Sequence, residues 1–133
     1  MKIRKVTIVG WVYFGGSLGM HAEYQLLVSS EDPVAQWSIY RRYSLFEKLY
    51  KQIGKMIGEN KARELGILFP AKNYFGSRLN ATGEAIGNRM VELQAFLSKV
   101  IQAGDLNHEN QLVHDFLDQR GRGLSGAMKG IPT

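Results

Sequence analysis

The hydrophobic period of this chain changes once, between Arg42 and Leu45. Before that point apolar side chains alternate with polar ones, the period of a strand with two unlike faces. After it, Leu45, Phe46, Leu49, Tyr50, Ile53, Met56 and Ile57 recur at helical spacing and lay one apolar stripe along an amphipathic helix. Strands first and helices afterwards predict an α+β fold, a three-stranded antiparallel β-meander packed against a helical subdomain.

Residues 3–14 are rich in β-branched and aromatic side chains, with Val6, Ile8, Val12 and Phe14 on one parity and Gly10 as a candidate bulge. Gly15-Gly16-Ser17 signals a turn, and residues 20–29 read as a second strand in which Ala22, Tyr24, Leu26 and Val28 alternate. Ser30-Glu31-Asp32-Pro33 signals another turn before a third strand over residues 35–42. Gly58 is expected to end the first helix. Residues 59–82 carry charge, glycine and one proline, and are expected to be mostly irregular.

Thr82 is placed to cap a second helix, with Glu84 in its first turn where the helix dipole favours an anion. Ile86, Met90, Leu93, Phe96, Leu97, Val100 and Ile101 form its apolar face. Asp105 or Asn107 can cap a third helix using Leu112, Val113, Phe116 and Leu117. The pattern predicts one domain over residues 1–120 and a glycine-rich flexible tail or linker over residues 121–133.

The net charge of +5 favours an anionic partner: lipid headgroups, nucleic acid or an acidic protein surface. It is equally what a solvated basic face produces. The absence of cysteine excludes disulfides, thiolate metal sites and a cysteine nucleophile. His21, His108 and His114 lack metal-ligand spacing, no phosphate-binding P-loop occurs, and no nucleophile–base pair is visible. No catalytic residue, metal or cofactor is therefore expected. No run approaches the ~20 apolar residues that cross a bilayer, so a membrane is met from outside.

Four basic residues stand in informative settings. Arg41 and Arg42 are neighbours on a strand and point to opposite faces, so only one can serve a given pocket. Arg42 adjoins the strand-to-helix corner and Tyr43; as an ordinary pair, both arginines would simply discourage edge pairing. Lys72 follows Pro70, and the Tyr74-Phe75 pair after it either folds into the core or projects as a membrane-dipping tip. Arg89 falls between Phe96 and Val100 on the helical wheel, inside the apolar arc and near the N-terminus, where a cation is disfavoured. It is either a snorkelling arginine at the core edge or one held there to reach a pocket.

Arg41-Arg42-Tyr43-Ser44-Leu45-Phe46, with Phe69-Pro70-Ala71-Lys72 and Arg89 further along, resembles the Phox-homology (PX) domain, a phosphoinositide-binding module, over residues 1–120. The resemblance implies that Arg42 holds a 3-phosphate, Tyr43 packs on the inositol ring, Lys72 contacts the 1-phosphate and Arg89 binds the 4- and 5-hydroxyls. It also implies a membrane-inserting loop with Tyr74, Phe75, Arg78 and Leu79. The family's loop often carries a Pro-x-x-Pro element that engages SH3 domains; only Pro70 remains here, so that role is unsupported.

On this resemblance the chain is expected to be a non-catalytic module for phosphatidylinositol 3-phosphate, peripheral on the cytosolic face of endosomal membranes and serving trafficking or sorting. The alternative is a PX-like protein–protein interaction domain without stereospecific lipid binding. Nucleic acid is not expected, although exposed aromatics could stack bases.

Overall fold

The computed structural model describes residues 2–14, 21–69, 83–103 and 111–118. Three strands, β1 (Lys2–Phe14), β2 (His21–Glu31) and β3 (Ala35–Arg42), form an antiparallel sheet in the order β1-β2-β3. This is the predicted meander. Tyr24, Leu26, Val28 and Ser30 of β2 are all buried and define the core face. Their partners on β3 are Arg41, Ile39, Trp37 and Ala35.

The expected parity of β1 holds only as far as Ile8. The register slips between Ile3 and Lys5 and again between Ile8 and Gly10. The second slip is a bulge, one extra residue that reverses which side chains face inward. Trp11, opposite Tyr24, therefore joins the core face. Val12 and Phe14 pair instead with Glu23 and His21 on the other face, and Val12 is exposed.

Helix α1 (Tyr43–Ile57) begins directly on the last strand residue, Arg42 being extended at φ −86 and ψ 161. Phe46, Leu49 and Ile53 bury its apolar stripe. Gly58 ends it at φ 89, a conformation that favours glycine, and returns its N–H to the Gly54 carbonyl at 2.8 Å. The stretch expected to be irregular contains a short helix, α2 (Glu59–Glu64). Only Ala62 of α2 is buried, so no apolar stripe marked it in the sequence.

Helix α3 (Gly83–Gln102) buries Ile86, Leu93, Phe96, Leu97 and Val100 as its wheel predicts, while Met90 and Ile101 are partly buried. It lies along the open edge of β1. There the Gln94 amide takes the place of a strand: its Oε1 accepts from the Ile8 N–H at 2.6 Å and its Nε2 donates to the Val6 carbonyl at 2.9 Å. Edge backbone groups are thereby satisfied beside the bulge.

Helix α4 (Gln111–Phe116) buries Val113 and Phe116, with Phe116 edge-on to Phe46 at 5.0 Å. The expected turn at 15–17, the caps Thr82, Asp105 and Asn107, and the tail over residues 121–133 lie outside the described residues.

The carbonyls at the end of α4 have no helical donors of their own. Strand β3 supplies them. Arg41 donates from Nε to the Phe116 carbonyl at 2.7 Å and from Nη2 to the Asp118 carbonyl at 2.9 Å. Trp37 donates from Nε1 to the Leu117 carbonyl at 2.8 Å. Arg41 is only 1% exposed and its Cζ lies 5.7 Å from the Phe116 ring centroid. It is a buried helix cap, not an ordinary sheet-edge arginine.

Candidate functional site

The site forms where β3 turns into α1 and the first turns of α3 come alongside. Arg41 pairs with Tyr24 on the core face, whereas Arg42 pairs with Glu23 on the other. Arg42 is half-buried, and its guanidinium makes no hydrogen bond or ion pair with another described residue. Of two adjacent arginines, one is committed to the fold and the other is open to a ligand.

Tyr43 follows Arg42 and opens α1, half-buried. The Arg89 guanidinium lies over its ring, with Cζ 3.8 Å from the centroid. A desolvated contact of this kind contributes about 2 kcal/mol. Arg89 is 5% exposed, so the structure turns it into the core as its place on the wheel implied. Burial lowers its pKa, and Tyr24, Tyr43 and Glu47 oppose that shift by favouring the cation. Burial likewise raises the pKa of Tyr43, against the pull of Arg89. The structure thus brings Arg89 and Tyr43 into contact at this corner, while Arg42, adjacent in the chain, lies on the other face of the sheet from Arg41.

Phe69 closes the other side. Its ring sits 5.5 Å from Tyr43, stacks on Tyr50 at 5.1 Å and meets Phe96 edge-on at 5.2 Å. This cluster pins the chain against α1 and α3 immediately before Pro70. Lys72 and the expected membrane-contact residues Tyr74, Phe75, Arg78 and Leu79 lie outside the described residues. Phe69 beside Tyr43, and the buried Tyr24, whose hydroxyl reaches the Ile86 carbonyl on the helix that carries Arg89, are neighbours of this corner that periodicity did not single out. Tyr24 read only as one of several core positions on an alternating strand.

Comparison with known proteins agrees with this architecture. The PX domain family model matches residues 29–120, and the chain belongs to that family. It is 29% identical over 93 residues to the mouse kinesin-like protein KIF16B, a match that covers 70% of this chain and 6% of that protein. The X-ray structure of a designed CISK-PX domain superposes with a TM-score of 0.69 at 24% identity, covering 85% of this chain and 97% of that one. The mouse SNX19 PX domain, crystallised with a bound sulphate ion, gives 0.63 at 18% identity, covering 86% and 95%. PX domains are in general non-catalytic phosphoinositide-binding modules that associate peripherally with membranes in trafficking.

Proposed function

We propose that this domain binds phosphatidylinositol 3-phosphate and recruits its protein to the cytosolic face of endosomal membranes. The observation that supports the reading is the Arg89 guanidinium held over the ring of Tyr43, the first residue of α1, directly after Arg42 at the end of β3. Arg42 supplies a planar fork of donors for the 3-phosphate oxygens. Tyr43 gives an aromatic flank for the inositol ring, Arg89 serves the 4- and 5-hydroxyls, and Lys72 serves the 1-phosphate as a point charge. Tyr74, Phe75, Arg78 and Leu79 enter the membrane interface beside the headgroup. A chain that carries net charge +5 adds a non-specific attraction to anionic lipid.

The test is liposome sedimentation across singly and multiply phosphorylated phosphoinositides at matched surface charge. Preferential binding to the 3-phosphate lipid is expected. Equal binding to every anionic liposome overturns the stereospecific reading and leaves electrostatics alone.

A further inference from the structure

Gly54 lies within α1, where a glycine weakens a helix because its backbone has the most freedom to lose. Nothing among the described residues requires it there. It does not take the positive φ of Gly58 and Gly66, and a side-chain carbon at this position would meet no atom within 4 Å. Gly87 on α3 differs, because the Trp11 ring stands 3.8 Å from where its side chain would begin. What Gly54 leaves is space. With Ala62, the one buried residue of α2, it lines a groove of about 420 Å³. The buried Ile67 adds an apolar wall, and the neighbouring Leu68, 65% exposed, adds an apolar lip.

The same groove is lined by three exposed cations, Lys51, Lys55 and Arg63. The fold engages their charges little. Among the described residues Lys51 reaches Glu47 only at 4.0 Å, Arg63 reaches Asn60 at 3.5 Å, and Lys55 has no ion pair. One anion, Glu59, stands among them. Gly54 follows Tyr43 by three turns of helix, so the groove lies roughly 16 Å along α1 from the headgroup corner.

An apolar recess with a basic rim is complementary to an acidic chain that carries one large apolar side chain. A bilayer fits it less well. The recess is concave, and Glu59 repels a uniformly negative surface, whereas a peptide can set an amide N–H or a basic side chain against it. We propose that the α1–α2 groove is a docking site for an acidic peptide segment of a partner protein, which seats an apolar side chain over Gly54 and sets flanking carboxylates against Lys51, Lys55 and Arg63. This site is separate from the headgroup corner and does not depend on the phosphoinositide reading.

The test begins with a phage-displayed random peptide library panned on the unaltered domain. Enriched sequences are synthesised, and their binding is read by fluorescence polarisation. Acidic sequences with one large apolar residue are expected. Gly54→Met fills the groove without changing charge and should weaken these peptides ~10-fold or more. It should also raise the melting temperature by ~3 °C, because methionine forms helix better than glycine. Its affinity for a soluble phosphoinositide headgroup should equal the parent's. A more stable domain that has lost only the peptide is not the product of a structural role. The double variant Lys51→Glu/Lys55→Glu is an independent arm and should also weaken the peptides ~10-fold or more.

Enrichment of no acidic peptide overturns the proposal, as does equal binding of the enriched peptides by the parent and either variant. Weakened binding of Lys51→Glu/Lys55→Glu to phosphatidylserine liposomes, with no peptide bound by the parent, makes the groove a membrane surface and overturns it too. A lower melting temperature in Gly54→Met places another part of this chain in the groove, with the same consequence.

Discussion

Arg41 and Arg42 should separate folding from binding within one dipeptide. In Arg41→Met the Phe116 and Asp118 carbonyls lose their charged donors, while Trp37 still serves Leu117. A polar group left buried without its partner costs about 1–3 kcal/mol. The Asp118 carbonyl is only part-buried and regains some water, and methionine avoids the desolvation that lowers the Arg41 pKa to about 10. A net loss of about 2–4 kcal/mol remains, which for a domain of this length lowers the melting temperature by roughly 10 °C.

Arg42→Ala removes no bond to another described residue, so its stability should stay within about 0.5 kcal/mol of the parent. Its loss should appear in headgroup affinity, about 1.5–3 kcal/mol for a charge-assisted contact. Thermal melts and isothermal titration on both variants decide the matter. Arg41→Met, measured well below its melting temperature, should keep most of its affinity. A stable Arg41→Met that has lost the headgroup, beside an Arg42→Ala that still binds, refutes the assignment of faces.

Three further expectations follow from the same geometry. Phe69→Ala breaks the ring cluster on Tyr43, Tyr50 and Phe96 and should cost about 2–3 kcal/mol in chemical denaturation, with a loss of headgroup affinity because Phe69 immediately precedes the Pro70–Lys72 segment; unchanged stability contradicts its anchoring role. Tyr24 should contribute a stability that is complete below pH 10 and disappears as pH rises through about 12, since its folded pKa is raised above the ordinary 10. Alkaline unfolding followed by circular dichroism should therefore start at higher pH in Tyr24→Phe, and coincident curves count against the burial of the phenol. Replacing Tyr74 and Phe75 together by serine should weaken liposome binding and spare the soluble headgroup; equal losses in both assays would place these aromatics in the pocket or core.

The switch from period two to the helical period located the β3–α1 corner to within a residue, because both patterns are imposed by one buried face. The same logic failed at two places for definite reasons. Gly10 marked the bulge between Ile8 and Gly10, but a glycine gives the place of a slip and not its size, so Val12 was put on the core face where Trp11 belongs. Helix α2 sends a single alanine inward, too little apolar surface to generate a period.

The candidate site was legible to the extent that its residues violated a local rule. Arg89 stood out because a cation occupied an apolar arc near a helix N-terminus, and the structure explains the violation: its guanidinium lies over the Tyr43 ring, Cζ 3.8 Å from the centroid. Arg42 had no such mark. It was separated from Arg41 by strand parity alone, which gives the face of a side chain but not the destination of its tip. Tyr24 was invisible as a neighbour of this corner for the converse reason. A tyrosine among Leu26 and Val28 satisfies the strand pattern with its ring, and the pattern carries no information about the hydroxyl, which extends beyond the sheet to α3. Residues that obey the core pattern while carrying a polar tip are therefore the neighbours of this corner that periodicity passes over, and Tyr24 meets that description on the strand beside Arg42.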